Sequence, residues 1–165
     1  MNKLISFQEF TDDHLIQLHQ WLQESHVREF WDDGDRTLDQ VKSHYRFEKG
    51  LKRYLFFINN YPAGYIQSYV IDRQNEYYPF ALPGKENVGV DLFIGNESLL
   101  GKGFATDVLA EFVRTYCQEV GRLIVDPNPN NRKAIHVYEK YGFTKVGELM
   151  VEGSNHLVMA LDKII

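Results

Sequence analysis

The chain has 165 residues, 44% hydrophobic and 25% charged, a composition that suits one globular domain with a real core and excludes a disordered polymer. Its formal charge of −5, from 18 Lys and Arg against 23 Asp and Glu, does not favour nucleic acid, whose binding rests on basic side chains neutralising phosphate. That balance is compatible with a cationic substrate, and equally with ordinary solubility. A single cysteine, Cys117, excludes an internal disulfide and a thiolate metal cluster; helical spacing places it beside Phe112, Val113 and Tyr116 as a small core residue. The first residues lack the apolar stretch of a signal peptide and no apolar run is long enough to span a bilayer, so a cytoplasmic protein without a membrane partner is expected.

Leu4 to Phe10 alternates apolar and polar residues and predicts a half-buried strand. Thr11-Asp12-Asp13 offers N-cap oxygens to a helix whose apolar residues are Leu15, Leu18, Trp21 and Leu22. The segment from Ser25 to Arg36, with Phe30-Trp31-Asp32-Asp33, reads as irregular. Thr37-Leu38-Asp39-Gln40 matches a capping box and opens a second helix through Val41 and Tyr45.

Tyr54–Ile58 and Ala63–Ile71 read as strands joined by a hairpin turn over Asn59-Asn60-Tyr61-Pro62. A polar, aromatic loop from Asp72 to Asn87 is long enough to imply a function or a mobile lid. A strand through Asp91 then feeds a short polar turn and Gly101-Lys102-Gly103, followed by a helix from Gly103 to about Val120. Phe104, Val108, Phe112 and Tyr116 recur every fourth residue along it, and Gly121 is the expected helix end. Arg122–Val125 is a short strand that stops at Asp126-Pro127. A further helix runs from Asn131 to about Tyr141 and closes at Gly142. Strands over Thr144–Val151 and His156–Leu161 complete the chain, separated by Glu152-Gly153-Ser154-Asn155. The order βααβββαβαββ predicts a mixed α/β sheet in one domain over residues 1–165.

The stretch Val88 to Thr106 carries the chemistry. Amides gathered by a glycine knot at a helix N-terminus make a seat for phosphate oxygens, and Asp91 lies in the strand that leads to it. Taken alone, the knot is also what a tight strand-to-helix turn requires. It is not a Walker A loop, because four residues do not separate a Gly from a Gly-Lys-Ser/Thr, nor the dinucleotide fingerprint, since Thr106 stands where a third glycine belongs. The six histidines show no metal-binding spacing, and no metal is expected.

A second segment supplies the context. Asn131-Arg-Lys-Ala134-Ile-His-Val-Tyr138-Glu-Lys-Tyr-Gly142-Phe143, preceded by Asn128-Pro129, together with Leu100-Gly-Lys-Gly103-Phe-Ala105, resembles the acetyl-CoA-binding core of the GNAT superfamily of N-acetyltransferases. Leu100 departs from the Gln or Arg usual at its position. Asp91, Asp126-Pro-x-Pro-x-Asn131, Trp21-Leu, Phe30-Trp31, Thr37-Leu and Gly64–Val70 are similar to the aminoglycoside 6′-N-acetyltransferases within that superfamily, so the match spans nearly the whole chain. The resemblance implies a single-domain GNAT fold, with a mixed, mostly antiparallel sheet of about six to seven strands and about four helices.

It further implies acetyl-CoA as acetyl donor. Phe93 and Gly95 would bond the pantetheine arm through their backbone, Asn131 through its side chain, and Gly101, Lys102, Gly103, Phe104, Ala105 and Thr106 would hold the pyrophosphate. An amine attacks a thioester only when unprotonated, so a proton acceptor is needed beside it and stabilisation beside the leaving thiolate. Asp91 fits the first role and Tyr138 matches the family tyrosine for the second. Asp91 is otherwise a strand-end acid facing solvent, and Tyr138 a packing residue. Asp126 is a candidate for binding a substrate ammonium or hydroxyl, or else a turn cap before Pro127. Trp31, Tyr45, Gln67 and Tyr69 would wall the acceptor side, with Glu152 reaching the same cleft.

The expected activity is direct acetyl transfer in a ternary complex to a primary amine of a small polycation, with an aminoglycoside 6′-amine the leading acceptor. Another amine (a polyamine, a protein lysine or N-terminus, or a siderophore hydroxylamine) and a catalytically silent acyl-CoA-binding module stay open, as does the choice between monomer and homodimer.

Overall fold

The computed structural model describes residues 2–31 and 34–163; Asp32 and Asp33 of the Phe30–Asp33 segment lie outside the described residues. Seven strands form a mixed sheet: β1 (Ile5–Glu9), β2 (Leu51–Ile58), β3 (Tyr61–Val70), β4 (Asn87–Ile94), β5 (Arg122–Val125), β6 (Thr144–Val151) and β7 (Ser154–Asp162). Their order across the sheet is β1-β2-β3-β4-β5-β7-β6. Among the described residues five α-helices accompany them: α1 (Leu15–Gln23), α2 (Ser25–Arg28), α3 (Leu38–His44), α4 (Phe104–Tyr116) and α5 (Arg132–Tyr141). The expected architecture stands. By its contacts the chain divides into two compact units, Met1–Gln67 with Leu92–Phe104, and Ser68–Asp91 with Ala105–Ile165.

In the first unit β1 pairs antiparallel with β2, from Ile5 opposite Ile58 to Glu9 opposite Tyr54. The β2–β3 turn is shorter than the sequence predicts. Asn59 and Asn60 alone make it, at φ 50° and 68°, and Tyr61 and Pro62 already belong to β3. A two-residue hairpin needs positive φ at both positions, which asparagine tolerates better than other side chains. Asn59 also ties the tip to the chain ahead of β1: its Oδ1 accepts from the Leu4 N–H at 3.0 Å. In α1 the four predicted apolar residues are all buried. The oxygen that accepts from His14 N–H at its start is the Thr11 carbonyl, at 2.9 Å. The one-turn helix α2 falls in the stretch read as irregular, because four residues are too few to show a period. The capping box of α3 is fully formed, with Gln40 N–H on Thr37 Oγ1 at 3.2 Å and Thr37 N–H on Gln40 Oε1 at 2.8 Å. Leu18, Leu22, Val41, Leu55, Tyr65 and Phe93 are among the side chains of this unit's core.

In the second unit β4 runs parallel to β5 from Asn87 opposite Arg122 to Gly89 opposite Ile124, and β5 pairs antiparallel with β7. The register of β4 on β5 runs to Gly89, and Asp91 lies two residues farther along β4. α4 buries Val108, Leu109, Phe112 and Val113, whereas Tyr116 is exposed. The helix ends at Tyr116, earlier than Val120, and Gln118 Nε2 donates to the Arg114 carbonyl at 2.9 Å near its end. Gly121 is therefore not the helix end. It leads into β5, its N–H on the Glu86 carbonyl at 2.9 Å, where a Cβ would lie 2.6 Å from Lys85 Cβ. Cys117 is buried, as expected. Gly142 closes α5 at φ 124°, its N–H shared between the Tyr138 and Glu139 carbonyls, each at 3.1 Å. The β6–β7 turn is Glu152-Gly153 alone, at φ 48° and 81°, so β7 starts at Ser154 rather than His156.

The long loop ahead of β4 is pinned rather than loose. Asn87, whose side chain is buried, accepts from Leu82 N–H at 2.7 Å and donates to the carbonyls of Leu82 at 3.0 Å and Lys85 at 2.8 Å. Arg122 grips Asp162 with two nitrogens, Nε to Oδ1 at 2.5 Å and Nη2 to Oδ2 at 2.9 Å, while its Nη1 donates to the Phe80 carbonyl at 2.8 Å. Tyr77, Phe80 and Ala81 pack into one core cluster with Ile71, Ile124, Val158 and Ala160. These ties hold the loop against the core of its unit.

Candidate active site

The glycine turn has the geometry that an anion seat needs. Gly101 and Gly103 lie at φ 72° and 80°, and no heavy atom beyond their immediate chain neighbours comes within 4 Å of where their Cβ atoms would be. α4 begins at the next residue, Phe104, so the positive end of its dipole and its first N–H groups adjoin an open cradle. Lys102 is exposed between the two glycines, and Ala105 and Thr106 fall in the first turn of α4. This donor set suits the pyrophosphate of acetyl-CoA. The Asn131 side chain caps α5, with Oδ1 accepting from Ala134 N–H at 3.2 Å. The Gly95 N–H is committed to the Ala63 carbonyl at 2.8 Å.

The acids converge in the second unit. Asp91 on β4 and Asp126, which follows β5 directly, both act on three tyrosines, Tyr69, Tyr77 and Tyr138. Burial first, and these carboxylates second, hold all three phenols well above their usual titration range, so they stay protonated donors. Two carboxylates that oppose ionisation of the same phenols would favour a cation placed among them.

Asp126 is bound on one oxygen. The Tyr77 hydroxyl donates to Oδ2, and His156 Nδ1 lies 3.0 Å from the same atom and 3.3 Å from the Asp126 carbonyl. The hydrogen bond to Asp126 raises the His156 pKa above its usual value, against the smaller opposing effect of partial burial. Tyr77, His156 and Glu76 were not among the residues singled out from the sequence. Tyr77 and Glu76 lie in the loop and His156 on β7, remote from Asp126 along the chain, so no spacing announces them.

Tyr69 joins this cluster, packed against β4: a Cβ on Gly89 would stand 2.2 Å from its Cζ. The other aromatic candidates lie in the first unit. Trp31 is half-buried and donates from Nε1 to the Tyr45 hydroxyl at 3.0 Å, with its ring edge-on to Phe93 at 4.9 Å between centroids. Tyr45 itself is buried in the core, so packing takes most of its surface. Gln67 accepts from the Tyr65 hydroxyl at 2.7 Å. Glu152 is exposed at the tip of the β6–β7 hairpin.

The sequence matches the acetyltransferase (GNAT) domain over residues 11–151, and the chain belongs to that family of enzymes. It is 31% identical over 156 residues to aminoglycoside N(6′)-acetyltransferase type 1 of Klebsiella pneumoniae, which covers 88% of this chain and 77% of the relative. Among solved structures, aminoglycoside acetyltransferase AAC(6′)-Ib in complex with coenzyme A and kanamycin superposes with a TM-score of 0.83 at 30% identity, covering 97% of this chain and 95% of the other. The same enzyme with paromomycin and acetyl-CoA gives 0.83 at 30% identity, covering 96% of this chain and 93% of the other. Acetyl-CoA is the acetyl donor of the family. Among the described residues no helix is long and apolar enough to cross a membrane.

Proposed function

We propose that this enzyme transfers the acetyl group of acetyl-CoA to the 6′-amine of an aminoglycoside, directly from donor to acceptor. The observation that carries this reading is the negative cluster built from Asp91 and Asp126 around three protonated phenols. An acceptor with several ammonium groups is drawn to such acids, and Tyr69, the one of the three phenols that is not buried, offers a ring face to a sugar.

Acetyl-CoA supplies an activated thioester. Gly101 to Thr106 hold its pyrophosphate by main-chain N–H groups, and Phe93, Gly95 and Asn131 line its pantetheine arm. Because Gly95 N–H already serves Ala63, the contact there falls to the Gly95 carbonyl, and Asn131 contributes the amide nitrogen that its capping oxygen leaves over. Asp91 holds the incoming ammonium and takes its proton, directly or through a water, so that the neutral amine attacks. Tyr138 keeps its proton, since burial raises its pKa beyond that of a thiol near 8.5. It stabilises the departing sulfur by a hydrogen bond, not by full proton transfer. Asp126 and Tyr69 receive the rest of the acceptor, Trp31, Gln67 and Glu152 complete its surroundings, and buried Tyr45 acts from behind by holding the Trp31 indole.

Free-thiol release from acetyl-CoA, measured across aminoglycosides, polyamines and peptides, tests the reading. Kanamycin-class compounds with a 6′-amine are expected to turn over, and analogues with a 6′-hydroxyl to remain unmodified at that position. Inert 6′-amino compounds beside an active polyamine or peptide would move the substrate class and leave the acetyltransferase chemistry in place.

A further inference from the structure

Asp126 is engaged by two side chains, Tyr77 and His156, and its hydrogen bond raises the imidazole pKa above the usual value. His156 Nδ1 faces two acceptors, Asp126 Oδ2 at 3.0 Å and the Asp126 carbonyl at 3.3 Å, so Nδ1 carries a hydrogen in either charge state of the ring. Proton gain and loss therefore occur at Nε2, and the bond to Asp126 survives both. What changes is charge: the pair is neutral with an imidazolium and carries −1 with a neutral ring. Tyr77 donates to the same carboxylate oxygen and stays neutral, since burial and Asp126 hold its proton. Glu76, also from the loop, acts on the ring by charge alone and more weakly than Asp126, and Leu149, opposite His156 on β6, is apolar. The Leu157 N–H on the Pro127 carbonyl at 3.0 Å anchors β7 beside the segment that carries Asp126.

We propose that His156 is a positioning and specificity residue that sets the charge Asp126 presents to a cationic acceptor, masking it at low pH and exposing it as pH rises. This rests on the acceptor reading above, in which an ammonium approaches Asp126. Binding and protonation then compete. An acceptor ammonium at Asp126 weakens the hold of His156 on its proton by the same factor by which that proton weakens acceptor binding. The effect falls on acceptor affinity and not on the acetyl-transfer step, because Asp91 and Tyr138 handle the reacting atoms.

The test compares wild type with His156→Asn, whose amide keeps a donor near the Nδ1 position and cannot take a charge. With kanamycin as acceptor, the wild-type acceptor KM at about pH 6 should exceed that of the variant by roughly threefold to tenfold, and the two should converge as pH rises through the raised pKa of the ring. At saturating acceptor kcat should agree, as should KM for acetyl-CoA. Measuring both proteins at each pH cancels ionisation of the acceptor itself. An NMR titration of the His156 ring in the wild-type protein with coenzyme A, with and without kanamycin, reads the same competition and needs no variant: kanamycin should lower the ring pKa. Equal pH profiles of acceptor KM, a loss confined to kcat, or a ring titration that kanamycin does not move would each overturn the role of His156 while acetylation persists. Absence of turnover with every 6′-amino compound would overturn the acceptor reading, and this proposal with it.

Discussion

The Tyr69 ring occupies the space that a side chain on Gly89 would need, with Cζ 2.2 Å and the hydroxyl 2.6 Å from the position of a Cβ there. Gly89 is the last residue of β4 paired with β5, and Asp91 follows on the same strand two positions on. One glycine therefore sets how close the phenol comes to the strand that carries the acid. Gly89→Ala should displace Tyr69, cost roughly 1–3 kcal/mol of stability as overpacking does, and raise the acceptor KM. In a double-mutant cycle Tyr69→Ala should remove most of the stability penalty, since it vacates the clash. Urea midpoints of the four proteins measure the coupling; simple additivity would mean that the ring does not press on Gly89.

Asp91 is tested through turnover. Asp91→Asn should reduce kcat by roughly 10²–10⁴, the range for losing a general base, with acetyl-CoA affinity nearly unchanged. Steady-state rates from about pH 6 to about pH 9, with calorimetry for the cofactor, make the distinction. A variant that acetylates normally over that range would remove Asp91 from proton transfer.

The glycine turn is tested through cofactor binding. Gly103→Val places a branched side chain at φ 80° and in the open cradle, and should raise the acetyl-CoA dissociation constant about tenfold, or 1.4 kcal/mol. Backbone strain alone is controlled by Gly50→Ala, at φ 82° with equally open surroundings and outside the motif. That control should lose some stability and bind acetyl-CoA as wild type does. Matching affinities for both variants would locate the pyrophosphate elsewhere.

The Arg122–Asp162 pair gives stability a defined pH dependence. The hydrogen bonds from Arg122 hold the Asp162 carboxyl below its usual value, so the folded pKa lies under the unfolded one. Its contribution is fully present above the unfolded value of roughly 3.9 and disappears as pH falls through the lower folded value. The urea midpoint of Asp162→Asn should lie below wild type near neutrality and approach it in acid. A gap that is constant with pH would assign the loss to packing and not to ionisation.

Salt tests the charge of the acceptor site. Acceptor KM should rise with ionic strength, because attraction between partly exposed charges is screened over a Debye length of about 10 Å at 0.1 M, while KM for a neutral amine should change little. Equal salt dependence for the two would argue that Asp91 and Asp126 do not attract the acceptor by charge.

Features whose cause lies within a few residues were legible from the sequence. The Thr37–Gln40 capping box, the Asn59-Asn60 turn, the buried positions of α1 and the Gly142 stop of α5 each follow from local backbone preference or helical period. So did the glycine turn after the Asp91 strand. Local signals misjudged boundaries wherever a distant partner intervenes: Gly121 reads as a helix stop, and the structure uses it to admit Lys85 and to bond Glu86 at the start of β5. The partners of Asp126 belong to the same class. Tyr77 and His156 reach it across 49 and 30 residues of chain, brought there by the pinned loop and by the pairing of β5 with β7. Neither leaves a period or spacing in the sequence, because such contacts depend on which strands lie side by side, and that is decided by packing over the whole sheet.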